Sequence, residues 1–373
     1  METSRGNWGG LLMASLPGLA ALLALLFTWM QVTQTNKELA LSEQGQITNR
    51  FNAAISNLGS ASLDIRLGGI YALGRIMNDS ARDEPTVIQV LSAYLRQHAA
   101  LPADGEKARV ESSDENSSPR ADIQAVMTVL GTRRHYDPDR SLPFDLSHTV
   151  LRGVQLAGDP DQIHFSGADL EGVDLSGASL HNVNLWRAWL PDANLSDAHL
   201  TGSRLDYAVL AGANLTGTDL TESRFYEADL TGADLTGTIF CTNLVVDEKV
   251  ADAICADLIG VNLADANLTR ANLDAVDLSD AKFCPDLTSP TPLGNGCARM
   301  AGASFRHANL KSAYLSGANL KGADLTGANL AGANLANADL KGAKIAGATF
   351  NGAKLTGVQG MPPSRATAPG PPS

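Results

Sequence analysis

Four cysteines are the residues best placed by type to do chemistry, and they come as two matched pairs. Cys241 follows Phe240 and Cys284 follows Phe283, and each is answered about a dozen residues later by Cys255 or Cys297. Three states are open to thiols so arranged: a disulfide within each pair, reduced thiols, or a shared site in which four thiolates bind zinc. The histidines (His98, His135, His148, His164, His181, His199 and His307) are scattered, without a spacing that would gather them around a metal or a nucleophile. There is no phosphate-cradling loop, no nucleotide-binding glycine triplet, no HExxH and no nucleophile elbow. The expectation is a non-enzyme, with no catalytic residue, no cofactor and no resident metal.

The second group with chemical potential is aromatic and cationic. Trp186, Tyr207 and Tyr226 are spaced at close to 20 residues, with Trp189, Arg187, Arg204 and Arg224 beside them. Isolated surface aromatics need no explanation. Aromatics interleaved with arginine have the composition of a protein-binding hot spot, so these seven residues are the candidate partner patch. Asp219, Glu222, Glu227, Asp229 and Asp234 lie near in sequence and are expected to make it mixed in charge.

The element that must carry these residues has its own period. From Leu170 to Leu235 a leucine falls on every fifth residue except at Phe225, with a small residue usually two positions earlier. A period of five fits neither a helix nor an ordinary strand. Units such as Ala168-Asp169-Leu170, Ala213-Asn214-Leu215 and Ala318-Asn319-Leu320 resemble the pentapeptide-repeat family, with about 37 units between Leu146 and Leu355. The resemblance implies a right-handed quadrilateral β-helix over residues 142–358, four units per coil and about nine coils, with leucines inside.

On that fold the register breaks at Ala157–His164, Cys241–Ala256 and Cys284–Cys297. The last two are expected to be loops, at 241–255 and 284–297, leaving and re-entering at a corner. Excising each loop brings its two cysteines together, so a disulfide is geometrically allowed. The two necks fall at opposite corners about two coils apart, which argues against one shared zinc site. Phe165, Phe240, Phe283, Phe305 and Phe350 lie near an interruption or the end of the rod, where a larger side chain can fill imperfect packing.

Upstream, a tail (1–10) precedes an uncharged apolar run, Leu11 to Val32, long enough for a transmembrane helix and bracketed by Trp8 and Trp29. Its sequence suits an uncleaved anchor better than a signal peptide. Residues 40–100 read as a small α-helical domain, with helical faces through Ile47, Phe51, Ala54, Ile55 and Leu58, through Leu63, Leu67, Ile70, Leu73 and Met77, and through Val87, Val90, Leu91, Tyr94 and Leu95. Ser80 with Asp83 looks like a capping box. The run from Arg66 to His98 resembles the helical segment that precedes the repeats in bacterial membrane members of the family. Residues 101–120 read as a disordered linker. Residues 121–141 supply a capping helix, with Ile123, Val126, Met127 and Leu130 on one side, and a connection. The Pro-rich residues 359–373 read as a tail.

The net charge of −12 argues against general nucleic-acid binding. It is unevenly placed: residues 145–286 hold 23 Asp/Glu against 7 Lys/Arg, and residues 299–356 hold 2 against 7. The expected function is therefore a single-pass membrane-anchored scaffold that recruits a protein partner. The alternative, implied by the family, is an acidic rod that mimics DNA and binds a type II topoisomerase. Self-association of basic and acidic ends is a third expectation. Disulfides would place the repeats outside the cytoplasm, whereas the helical-segment resemblance leans cytoplasmic.

Overall fold

The computed structural model describes residues 8–102, 119–133, 145–156, 163–241, 255–263, 266–268, 273, 276–284, 297–298, 300 and 302–361, with backbone alone at 8–24 and 39–44. The expected linker (101–120), the interiors of both cysteine loops and the Pro-rich tail fall largely or wholly outside these residues.

Among the described residues four helices lead into the repeats: α1 (Trp8–Leu58), α2 (Leu63–Asp79), α3 (Glu84–His98) and α4 (Ala121–Gly131). α1 corrects the expected division into an anchor and a separate helical domain, because one helix runs through both. Between the apolar run and Ile47 the chain holds no proline and a single glycine, Gly45, whose cost in a helix is only about 1 kcal/mol, so nothing breaks the helix. Among the described residues no helix is long and apolar enough to cross a membrane. The side chains of 11–24, most of the expected span, are not among them.

α2 packs between α1 and α4, and two glycines explain how closely. A Cβ at Gly69 would lie 2.8 Å from the Ala54 carbonyl of α1, and one at Gly74 would lie 2.9 Å from Val129 of α4. Ala54, Leu58, Ile70, Leu73, Met77, Val87, Leu91, Tyr94, Leu95 and the four expected apolar residues of α4 are buried. Ile55 and Leu63 depart from expectation by standing exposed. The Ser80 hydroxyl bonds the Asp83 carboxylate and accepts from its amide, but Asp83 itself takes the N-cap position of α3. At the centre, Asp122 of α4 accepts from the Tyr94 hydroxyl at 2.7 Å and pairs with Arg66 at 3.0 Å and Arg120 at 2.8 Å. One buried carboxylate thereby ties α2, α3 and α4 together.

From Asp145 the chain winds into four faces of parallel bridges, at a step of 20 residues where the register is regular. Face 1 stacks Asp169, Trp189, Val209 and Asp229; face 2, Asp174, Asn194, Asn214 and Asp234; face 3, Ser179, His199, Asp219 and Ile239; face 4, Asn184, Arg204, Arg224 and Asp257. Face 1 begins at Asp145, which bridges Asp169, and continues through Asn262, Lys282, Tyr314, Asn334 and Lys354, so nine steps of about 4.8 Å give a column near 43 Å long. Each face contributes isolated bridges instead of named strands, because a turn follows every third residue. The stack therefore differs from an ordinary sheet.

The pentad explains the cross-section. Leucine and the small residue two before it both point inward, as with Leu190 and Ala188, each fully buried. A serine or threonine at the small position stays satisfied by bonding a leucine carbonyl, of the previous coil as Ser203 does to Leu180 at 2.6 Å, or of its own turn as Thr149 does to Leu146 at 2.7 Å. At each corner a turn bond closes, such as the Ala188 amide to the Leu185 carbonyl at 2.9 Å. The second turn residue has positive φ, the geometry of a type II turn, which favours glycine. Register survives the interruptions: Arg224 bridges Asp257 and Lys282 bridges Tyr314, with the extra residues looped out between them. Phe225, Phe240, Phe283 and Phe305 are fully buried, and Phe283 meets Phe305 edge-on at 6.1 Å.

The two ends differ. At the first coil, the Gln124 side chain of α4 accepts from the Gln155 amide and donates to its carbonyl, at 2.9 and 2.7 Å, and the His164 amide donates to the Gly131 carbonyl. At the last coil Ile345, Phe350 and Leu355 are only partly buried.

Candidate protein-binding surface

The surface that stands out is the corner between face 4 and face 1. On three successive coils it presents Trp186 and Arg187, then Asp206 and Tyr207, then Tyr226 and Glu227. The Arg187 guanidinium sits 4.3 Å from the Trp186 ring centre and 5.8 Å from that of Tyr207. Tyr207 meets Tyr226 edge-on at 5.5 Å. Rings and guanidinium thus form a continuous ridge along the rod, with Arg187 and Tyr207 exposed and Trp186 and Tyr226 half-buried.

Behind the ridge lies a carboxylate that sequence reasoning missed. Asp206 has its side chain 2 % exposed, pairs with Arg204 at 2.8 Å and Arg224 at 3.5 Å, and accepts from the Tyr226 amide at 3.1 Å. It occupies the pentad position of an ordinary turn residue, so only the 20-residue stacking with Tyr226 could have flagged it. Glu227 beside it pushes the Tyr226 phenol up from its ordinary value.

The other expected members separate. Trp189 is exposed on face 1 and donates its indole N–H to Glu171 at 3.2 Å, around the edge from the ridge. Asp219 and Asp234 lie on faces 3 and 2, so of the expected acidic neighbours they do not belong to this corner. Glu227 does belong to it, Asp229 lies on the adjoining face 1, and Glu222 stands one corner away.

The backbone singles out the same corner. Elsewhere a non-glycine at a left-handed turn is usually followed by glycine one coil on, Asp280 followed by Ser312 being an exception. A Cβ at Gly202 would meet Asn182 at 2.2 Å, one at Gly212 would meet Asp192 at 2.4 Å, and one at Gly217 would meet Asp197 at 2.4 Å. The side chain of one corner leans over the next, where glycine leaves room. The ridge breaks that alternation: Arg187 (φ 54°), Tyr207 (φ 60°) and Glu227 (φ 50°) succeed one another, and glycine returns only at Gly260. Bulky residues in this region are strained, and such strain concentrates where side chains serve a function.

The cysteines bond in pairs. Cys241 joins Cys255 and Cys284 joins Cys297, with Cα separations of 4.1 and 4.0 Å. The necks follow Ile239 on face 3 and Lys282 on face 1, on opposite sides of the coil. Among the described residues no group of three or more His, Cys, Asp or Glu is arranged to hold a metal ion. His181 and His199 stack at 5.6 Å without a third ligand of that kind.

Comparison with known proteins agrees with this architecture. A family model described as pentapeptide repeats, in 8 copies, matches residues 161–197, 178–217, 203–240, 254–284, 297–327 and 323–358. Among solved structures, HetL, a pentapeptide repeat protein involved in heterocyst differentiation regulation from Nostoc sp. strain PCC 7120, is 30% identical (TM-score 0.23) over 57% of this chain and 89% of its own. QnrB1, a plasmid-mediated fluoroquinolone resistance protein, is 20% identical (TM-score 0.42) over 56% of this chain and 93% of its own. A pentapeptide repeat protein of the Arabidopsis thaliana thylakoid lumen is 26% identical (TM-score 0.10) over 42% and 70% respectively. No curated protein matches the chain.

Proposed function

Because this chain belongs to the pentapeptide-repeat family, a fold that displays side chains in register along a rod, we propose that it is a non-catalytic scaffold that docks a protein partner on the ridge at the face 4/face 1 corner. The observation that carries the reading is the run of Arg187, Tyr207 and Glu227 at three successive left-handed turns. Glycine there would relieve the backbone, so the side chains are held against local preference, and the rings and guanidinium they add are hot-spot chemistry. The test is site-specific photocrosslinking from position 207 in the native host. Crosslinks to one protein, lost on Trp186→Ala, support the reading; none above those from a probe at position 217 refutes it.

The proposal includes attachment of the N-terminal helix to a membrane. It is supported by Leu25, Leu26, Phe27, Trp29, Met30 and Val32, each at least half exposed on α1 and needing an apolar environment. Extraction of the chain by alkaline carbonate would overturn that part. Because the structure pairs the thiols, the proposal sets the repeats on an oxidising side of the membrane. In intact cells, failure of a membrane-impermeant thiol reagent to label the chain after reduction would overturn the sidedness, and labelling without reduction would overturn the disulfide pairing.

The second reading, an acidic rod that binds a type II topoisomerase, is favoured by carboxylates in register, Asp145 on Asp169 and Asp257 on Asp277. A supercoiling assay with the purified chain decides it: no inhibition or protection of gyrase at micromolar concentration removes this reading.

A further inference from the structure

The rings of the ridge repeat along the rod at a fixed interval. Trp186 and Tyr226 hold the same pentad position two coils apart, about 9.6 Å along the axis, and Tyr207 projects from the coil between them. Among the described residues the Trp186 indole N–H and the Tyr207 hydroxyl make no hydrogen bond, so both can donate outward. Charge selects no charged partner: Arg187, Arg204 and Arg224 stand with Asp206, Glu227, Asp229 and Asp257 on this corner and its two faces. A partner that fits brings rigid apolar groups and carbonyl oxygens. The interval then selects its backbone. A polyproline II helix turns once in three residues and rises about 9.3 Å, so residues i and i+3 land on Trp186 and Tyr226 to within about 0.3 Å. An α-helix comes within about 1 Å at i+7, and an extended strand, whose faces repeat near 6.8 Å, misses by about 3 Å. Polyproline II also has no internal hydrogen bonds, so its carbonyls are open to the Trp and Tyr donors.

This chain carries a segment of that chemistry. Pro362, Pro363, Pro369, Pro371 and Pro372 follow Met361, and Pro369 and Pro372 stand at i and i+3. Its own ridge is out of reach. Five coil steps separate Asp229 from Lys354 on face 1, about 24 Å, and Gln359, the last bridged residue, lies one face further on. The eight residues from Met361 to Pro369 span about 25 Å as polyproline II. The axial distance alone consumes that length, with the way from face 2 around face 1 still to go. We infer that residues 362–372 of a second copy dock on the ridge as a polyproline II helix, Pro369 and Pro372 stacked on the rings of Trp186 and Tyr226. This rests on the docking reading above and names its partner. Such a contact is heterologous, tail on flank, and links copies in series.

In the native host, a chain with a photoreactive residue at position 207 is co-expressed with a copy carrying a different tag, and crosslinked peptides are sequenced by mass spectrometry. The expected crosslink joins position 207 to residues 362–372 of the differently tagged copy. It should fall about tenfold with Trp186→Ala on the ridge copy, or with Pro369→Ala and Pro372→Ala together on the other, changes that leave the interior of the rod intact. A labelled peptide of residues 361–373 should bind the purified full chain, weaken about tenfold when the same two prolines are replaced, and depend little on salt. A peptide that does not bind, or binds equally with both prolines replaced, overturns the inference. Crosslinks that need Trp186 but reach another protein, or another segment of this chain, overturn the tail assignment and leave the docking reading standing. Crosslinks to the tail of the same copy alone overturn the second-copy assignment. Crosslinks no stronger than those from position 217 overturn the docking reading itself.

Discussion

Arg187→Ala and Arg187→Gly should separate the cost of the corner from its use. Arg187 sits at φ 54°, where a residue with a Cβ is destabilised by roughly 1–2 kcal/mol. Alanine keeps that strain and loses the stacking on Trp186 and Tyr207, about 0.5–1 kcal/mol for an exposed cation and ring. Glycine loses the same stacking and adds about 0.5–1 kcal/mol of unfolded-chain freedom, but removes the strain. The glycine chain should therefore lie near the wild type, while the alanine chain falls below both by about 0.5–1 kcal/mol. Urea melts followed by fluorescence of the nearby Trp186 would read the order directly, since a difference of this size moves the midpoint without changing the slope. Equal midpoints, or alanine above glycine, would mean that the corner stores no strain, and the argument that its side chains are kept against backbone preference would fall.

Four further outcomes are expected. Leu200→Ala, which empties a fully buried position inside the rod, should cost about 2–5 kcal/mol in the same melts; a loss under about 1 kcal/mol would contradict a close-packed interior. Burial pushes the Asp122 carboxyl up, but the Tyr94 hydroxyl and the Arg120 and Arg66 guanidinium groups outweigh it and hold it at about 2, below its ordinary 3.8. A depressed carboxylate stabilises fully above its unfolded value and ceases to do so as pH falls through its folded one, so helical circular dichroism should weaken between about pH 4 and pH 2. An acid profile unchanged by Asp122→Asn would refute that linkage. Replacing Cys241 and Cys255 by alanine should lower stability by about 3 kcal/mol, because the bond closes a loop with a sequence separation of 14; no change in midpoint would count against it. Amide exchange should be slow near Gln155 and His164 beneath α4 and fast near Phe350 and Leu355, and the opposite gradient would overturn the asymmetry of the two ends.

The rod was legible because its rule is local and repeated. A leucine every fifth residue leaves no competing period, and Leu258 and Met300, the first core residues after the two cysteine loops, are buried in register. The helical faces could be read only partly, since periodicity names the side of a helix but not its covering neighbour, and Ile55 and Leu63 stayed exposed. The joined α1 escaped because the polar stretch between Val32 and Ile47 looks like a boundary by composition, while it holds no proline and its one glycine, Gly45, is a tolerable cost within a long helix. The patch was found by its aromatics, and the ridge emerged only in three dimensions. A period of 20 places Trp186 above Asp206 and Tyr226, but sequence alone does not say that Trp189 turns onto the next face or that Asp206 is buried.

The step of 20 residues has a mechanical corollary. Four pentads close one circuit with no remainder, so adding or removing a whole coil slides everything beyond it along the axis and leaves each face stacked on the same face, turned by no more than the twist of one coil. The helical cap fixes the origin at one end, and the ridge lies two to four coils from it. The coils between act as spacers of about 4.8 Å each. Deleting one of them would bring the docking face closer to the helices while keeping its compass bearing to within that twist, so the reach of this protein can be graded in uniform increments with little change in the direction in which it points.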